Sequence, residues 1–375
     1  MKFLVLTHQY PKKDNLYRSG FVHQRVCEYI KKGFETEIWV LDNNKTDVSK
    51  YIFESVTVFE GNDESFRLYV KENNITHLLV HFLLTSTMKA LGKVEKKIPV
   101  IIWVHLFEAS SWKRRLFDFN NIYFLKFILE NINQLRNFKK FNETSNQNLT
   151  YIFVSDWIKK IAEKDVNTRF NNVNIIHNYI NTDLYKYSHK DIESRKKILS
   201  IRTFQSKKYG NDISADAIKI LSTKDEFKDM EFVLYGKGKY FNKVKEELKH
   251  FPNVKMYNNF LSQEEIANLH KKFGVFLCPT RQDSQGVSMG EAMSSGLVPV
   301  TSNNSAIPEF VTNGKNGFLS NNPRELASAI LDLYYDPNKF IKMSQMASTD
   351  VNKQCGIQST IDREIEAILN ADKIN

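Results

Sequence analysis

The sequence predicts an α/β protein of two consecutive domains, each built on a parallel sheet. Three observations carry that expectation. The chain has 375 residues, more than one comfortable core needs, and two domains of about 150–200 residues are the norm at this length. Short apolar runs alternate with amphipathic stretches in two successive series, and a strand–helix–strand crossover implies parallel pairing. Between the two series lies NTDLYKYSHKDIESRKK, which is polar and lacks strand periodicity.

The first series opens on KFLVLTH. Pro11 and a polar stretch with Ser19-Gly20 come next, then the amphipathic helix FVHQRVCEYIKKGFE and the strand TEIWVL. Further strands are expected at THLLVHF (76–82), VIIWVHLF (100–107), TYIFVS (150–155) and VNIIHN (173–178). The second series runs through KKILSI (196–201), EFVLYG (231–236), NVKMYN (253–258), VFLCPT (275–280), LVPVTS (297–302) and GFLS (317–320). Helices between these strands include KVKEELKHF, SQEEIANLHKKF and GEAMSSG, and the chain is helical again from residue 335 to 371. The expected domains are 1–185 and 186–345, with a closing helical segment, 346–375, packing back toward the first. In open parallel sheets ligands bind beyond the carboxyl ends of the strands, so two such domains give one cleft.

Composition narrows the classes. With 42% hydrophobic and 26% charged residues the chain is globular, and 14 glycines and 8 prolines leave little room for disordered linkers. A formal charge of +10 favours an anionic partner: nucleic acid, an acidic membrane or a phosphate-bearing substrate. Lysine-rich composition alone gives the same number. Cys27, Cys278 and Cys355 are too few and too scattered for a disulfide framework or a metal cluster, which points to a reducing, cytoplasmic compartment. The apolar run in MKFLVLTHQYP is too short for a signal peptide, and no apolar segment reaches the length of a membrane span. His77 and His81 fall on a strand and read as local structure.

Chemistry concentrates after the strands of the second series. In RQDSQGVSMGEAMSSGLVPV (281–300), Asp283 and Glu291 bracket a loop that enters a helix near Val287. The amides at Gly286, Val287 and Ser288 would open a phosphate site, with glycine letting the backbone approach an anion. Glu291, one turn on, suits the hydroxyls of a ribose, and Asp283 suits a hydroxyl-rich group beyond the phosphates. In SIRTFQSKKYG, Arg202 closes a strand and Lys207 stands five residues later, two cations able to neutralise a diphosphate. Whether Lys207 or its neighbour Lys208 does so is open at this level. Gly236 in LYGKGKY is a strand-to-helix turn bordering a nucleotide; it completes neither a Walker A nor a G-x-G-x-x-G pattern. In the first domain, Gly20 of YRSG can admit a phosphate or sugar, and His105 after IIWV can orient a sugar or join in catalysis. No D-x-D triplet occurs, so a metal-free reaction is expected.

These residues together resemble the retaining, nucleotide-sugar-dependent glycosyltransferases of family 4, also called group 1, with the GT-B architecture of two Rossmann-like domains facing across a cleft. The resemblance rests on DSQGVSMGEAMSSGLVPV, with two acidic residues separated by seven others, on IRTFQSKKYG, on VSDWIKK and IIHNYINTDLY, and on SNNSAIPEFVTNGKNGFL. Asp283 stands where the family usually has Glu, and Lys208 where a glycine usually follows the lysine. Asn178-Tyr179 replaces Asn-Gly, and Asn304-Ser305-Ala306 replaces a glycine pair.

The resemblance implies transfer of a sugar, with retention, from a nucleoside-diphosphate sugar, a UDP-sugar foremost, to a glycan or lipid-linked acceptor, as in bacterial surface polysaccharide or glycoconjugate synthesis. By position Arg202 and Lys207 meet the diphosphate, Glu291 the ribose, and Asp283 the donor sugar. Gly20 and His105 match the phosphate loop and sugar-side histidine of the first domain. No cofactor or metal is implied. Residues 106–141, rich in aromatics and cations, suit an anionic membrane surface, and nothing favours nucleic acid. The alternatives are an epimerase-like or phosphorylase enzyme of the same topology and a non-catalytic sugar-nucleotide-binding module.

Overall fold

The computed structural model describes residues 1–12, 19–119 and 123–371. The chain divides into two compact units, residues 1–179 with 357–375, and residues 180–356. The first unit runs β1 (Lys2–Thr7), α1 (Gly20–Lys31), β2 (Glu35–Leu41), β3 (Ser49–Phe53), β4 (Val56–Gly61), α2 (Asp63–Glu72), β5 (His77–His81), α3 (Thr85–Gly92), β6 (Val100–Val104), α4 (Tyr123–Thr144), β7 (Leu149–Phe153), α5 (Asp156–Val166) and β8 (Val173–Ile175). Its sheet has the order β3-β4-β2-β1-β5-β6-β7-β8. All pairs are parallel except β3 with β4. Leu4 and Leu6 of β1 join one apolar cluster while Phe3 and Val5 join another. The sheet is therefore buried on both faces, and this is why its strands read as continuous apolar runs rather than alternating ones.

The β3–β4 hairpin escapes the sequence reading. Its turn is made by Glu54 and Ser55, both at positive φ (44° and 70°). Such a turn normally announces itself with Asn-Gly or Asp-Gly, and Glu-Ser carries no such signal.

The second unit runs β9 (Lys197–Ile201), α6 (Asn211–Leu221), β10 (Glu231–Tyr235), α7 (Phe241–Leu248), β11 (Val254–Tyr257), α8 (Gln263–Lys272), β12 (Val275–Leu277), α9 (Val287–Ser294), β13 (Val298–Thr301), β14 (Phe318–Leu319), α10 (Pro323–Tyr335) and α11 (Pro337–Cys355). Its wholly parallel sheet has the order β11-β10-β9-β12-β13-β14. All six strands expected in this series are present. The last helix, α12 (Ile361–Asn370), belongs to the first unit.

What ties α12 in is a buried ion pair. Glu364, fully buried, accepts from Arg25 Nε of α1 through both carboxylate oxygens, at 3.0 and 2.9 Å. Tyr29 Oη and Trp103 Nε1 donate to the same carboxylate at 2.5 and 3.1 Å. Both oxygens of Glu364 are thereby engaged by more than one donor, which is the condition for burying such a charge. Among the described residues no helix is long and apolar enough to cross a membrane.

Candidate active site

In the second unit the chain leaves β9 toward β10 and β11 on one side and returns to β12, β13 and β14 on the other. Loops after β9 and β12 therefore diverge, and the crevice between them is where an open parallel sheet receives a ligand. Arg202 stands directly after β9. The loop carrying Asp283 leaves β12 and ends in α9.

Arg202 is 7% exposed. It donates from Nη1 to Ser288 Oγ at 3.0 Å and from Nη2 to Asp283 Oδ2 at 3.5 Å. Its guanidinium lies 5.1 Å from the centre of the Tyr209 ring. Its Nε is buried without a partner among the described residues. The backbone holds the residue firmly, since its amide donates to Tyr235 O of β10 at 3.0 Å. Gly236 comes next there with φ 150°, and a Cβ on it would stand 1.9 Å from Arg202 O. No other residue fits this close approach of two strand ends.

Asp283 already has protein partners on both oxygens. Oδ1 accepts the amides of Gly286 at 2.9 Å and Gln285 at 3.3 Å, and Oδ2 faces Arg202. Burial alone would raise its carboxyl, but Lys208, Arg202 and the two amides outweigh that and hold it below the ordinary carboxylate range. Of the amides expected to meet an anion, that of Gly286 is thus spent on Asp283. Gly286 sits at φ 83° as the cap of α9, and Val287 and Ser288 begin the helix, where backbone donors have no intrahelical partner.

Glu291 differs in kind. It is 8% exposed, and burial pushes its carboxyl up to about 8, so at neutral pH it carries its proton. Such a carboxyl offers one donor and one acceptor rather than the purely accepting carboxylate expected from the sequence.

The structure separates the two lysines. They begin a tight 3-10 turn, Lys207–Tyr209. The charge felt by Asp283 is that of Lys208, whose ammonium lies 5.4 Å from the Tyr209 ring centre, on the ring that Arg202 also covers. Lys207 instead lines a small cavity with Asp212, Tyr240, Lys243 and Glu247. Its carbonyl accepts from Arg281 Nη1 at 2.7 Å, and Arg281 in turn clasps Asp212.

In the first unit Gly20 opens α1, and a Cβ added to it would meet nothing within 4 Å. Tyr17 and Arg18 of YRSG lie outside the described residues. Phe21, next to Gly20, packs edge-on against His105 at 5.0 Å, so these two expected positions are neighbours. His105 is 7% exposed and shares a hydrogen bond of 3.1 Å with His81. The sequence reading assigns His81 to local structure and misses this pairing. The signal that could have found it is two histidines at the carboxyl ends of successive strands. Among the described residues no group of three His, Cys, Asp or Glu could hold a metal ion.

The family model described as Glycosyl transferases group 1 matches residues 195–336, the segment that holds Arg202, Asp283, Ser288 and Glu291. An uncharacterised glycosyltransferase of Methanocaldococcus jannaschii is 29% identical over 213 residues, 55% of each chain. The spore coat protein SA of Bacillus subtilis is 27% identical over 147 residues, 36% of this chain and 39% of that one. The chain thus spans about half or less of the curated relatives it matches. Sucrose-phosphate synthase from Thermosynechococcus elongatus superposes over 100% of both chains, with a TM-score of 0.77 and 12% identity. Anabaena HepE, solved with UDP and glucose, gives 0.71 at 16% identity over 99% of this chain and 100% of its own. At such identities the likeness is one of fold, and the fold is GT-B.

Proposed function

From a chain that carries a Glycosyl transferases group 1 domain at residues 195–336 within a GT-B fold, we propose a retaining glycosyltransferase. It moves a sugar from a UDP-sugar to a glycan or lipid-linked acceptor in surface polysaccharide or glycoconjugate synthesis. The observation that carries this reading is the meeting of Arg202 with Asp283 and with Ser288 at the start of α9, at the switch point of one sheet. The anomeric carbon–oxygen bond to the diphosphate breaks while a bond to an acceptor hydroxyl oxygen forms, and the hydroxyl proton leaves with the departing group. Arg202 and Lys208 neutralise the charge that grows on the diphosphate, in a crevice where preformed donors act most strongly. Glu291 binds the ribose hydroxyls. Asp283 holds the loop and the guanidinium, and presents its remaining acceptor capacity to the donor sugar. Support for uridine comes from HepE, a protein of the same fold, which was solved with UDP.

Calorimetric titration with UDP, GDP, ADP and CMP tests this. UDP is expected to bind most tightly, and Glu291→Ala to weaken it at least about tenfold, as the loss of hydrogen bonds to a buried carboxyl requires. Equal affinity in the variant would remove Glu291 from the site, and tighter binding of another nucleotide would replace uridine.

The acceptor side is read from residues 106–141. Phe107, Leu116, Phe119, Leu125 and Leu129 are exposed, and ring contacts of Phe124 and Phe127 join them to Phe107 and Phe119. Residues 112–141 hold seven Lys or Arg against two acids, a combination that suits an anionic bilayer holding a lipid-linked acceptor. Flotation with phosphatidylglycerol vesicles is expected to carry the protein and phosphatidylcholine vesicles to leave it behind, with Leu125→Asp/Leu129→Asp abolishing the association. Equal recovery with both lipids, or an unaffected variant, would end the membrane assignment.

A further inference from the structure

His81 closes β5, and its parallel partner in β6 is Trp103, two residues before His105. The two imidazoles lie side by side, centroids 5.4 Å apart and planes 22° apart. His81 Nδ1 and His105 Nε2 share the 3.1 Å hydrogen bond. His81 is fully buried and stacks on Trp103 at 4.7 Å. Its other nitrogen, Nε2, is buried with no hydrogen-bond partner among the described residues. His105 is held from three sides. Phe21 and Phe82 pack on its ring at 5.0 and 4.7 Å, and its backbone amide donates to the buried Glu108 at 2.7 Å.

Burial and the charge of Arg25, joined for His81 by His105, keep both rings well below the ordinary histidine range, so both are neutral at pH 7. A neutral imidazole has one donor and one acceptor nitrogen, so the shared bond couples the two tautomers and leaves only two arrangements. If His105 donates from Nε2, His81 must keep its own proton on a buried nitrogen with no acceptor. If His81 donates from Nδ1, the partnerless nitrogen holds only a lone pair, in the field of the Arg25 cation. A buried orphan N–H is the rarer and costlier defect. The second arrangement wins, and it puts the proton of His105 on Nδ1.

We propose that His81 is a positioning residue that locks His105 in the Nδ1–H tautomer, so that His105 serves as a hydrogen-bond donor to an oxygen of the bound sugar. The sugar in that statement rests on the function proposed above; the tautomer does not. With Nε2 engaged as an acceptor and Nδ1 already protonated, His105 is not a general base. It orients or polarises an oxygen.

The test is long-range proton–nitrogen correlation on the full chain labelled at histidine, with His105 assigned by loss of its signals in His105→Gln. The wild type is expected to show His105 protonated on Nδ1. His81→Asn, whose amide N–H can stand where the ring N–H stood, keeps that tautomer. His81→Leu, with no donor, lets the proton move to Nε2. Transfer kcat/KM is expected to fall about tenfold in His81→Leu, the effect of one misdirected hydrogen bond, and to recover to within about threefold of wild type in His81→Asn. The UDP Kd, set by the second unit, stays unchanged throughout. A proton on His105 Nε2 in the wild type overturns the proposal without recourse to any variant, as does a His81→Leu protein that keeps both tautomer and rate. A wild type with the Nδ1–H signature that transfers sugar from no nucleoside-diphosphate donor upholds the tautomer and overturns the function.

Discussion

Arg202→Ala is expected to lower sugar transfer by about a hundred- to a thousandfold, the loss that accompanies removal of a preformed electrostatic donor. The size of the effect comes from the setting. The guanidinium is 7% exposed, fastened to Ser288 and Asp283, and laid on Tyr209, so it needs little reorganisation as charge develops. Arg202→Lys is not expected to rescue, because a single ammonium cannot reach Ser288 and Asp283 together while covering the ring. The companion comparison is between the adjacent lysines. Lys208→Ala, which removes one of the two cationic charges felt by Asp283, should cost at least about tenfold in kcat. Lys207→Ala, whose side chain lines the cavity beside Asp212, should stay within about threefold of wild type, the range of a contact that does not touch the transition state. Steady-state turnover of a UDP-sugar checks all four variants. The reverse order for the two lysines would return the diphosphate to Lys207.

The largest effect on stability is expected far from that crevice. Glu364→Gln leaves Arg25 as a buried cation without its counter-charge, and loss of one partner of such a pair costs about 3–5 kcal/mol. For a unit of this size that is a fall of about 10 °C in the melting temperature of the first unit. Hydrogen exchange in α1 and α12 should report it, with the second unit unaffected. The double replacement Arg25→Met/Glu364→Leu should restore much of the loss, because it removes both desolvated charges at once. A double variant as unstable as the single one would show that the hydrogen bonds from Tyr29 and Trp103, rather than the ion pair, hold α12.

These two expected results draw on different kinds of information in the chain. The acidic pair, Arg202 and the start of α9 lie close to strand ends, and strands buried on both faces show themselves as unbroken apolar runs. That is why the second sheet is legible strand by strand, and why its ligand end can be found by reading the residues at the exit of each strand. The hairpin at Glu54-Ser55 is not legible, because its positive φ angles are imposed by strand pairing on residues with no preference for them. The protonation of Glu291 is not legible either. A carboxyl's charge depends on how much water surrounds it, and the packing that removes the water is not written near residue 291.

Periodicity and short spacings along the chain were thus enough for the parallel α/β architecture of each unit and for placing Arg202, Asp283 and the start of α9 at strand exits of one sheet. Which of Lys207 and Lys208 lies toward Asp283 depends on packing, because consecutive residues of a tight three-residue turn point about 120° apart and no spacing along the chain says which direction that is. Strand register joined His81 to His105, and helix docking joined Arg25 to Glu364 across 339 positions. These pairings arise where separate elements pack together, and no local pattern of residue types carries that information.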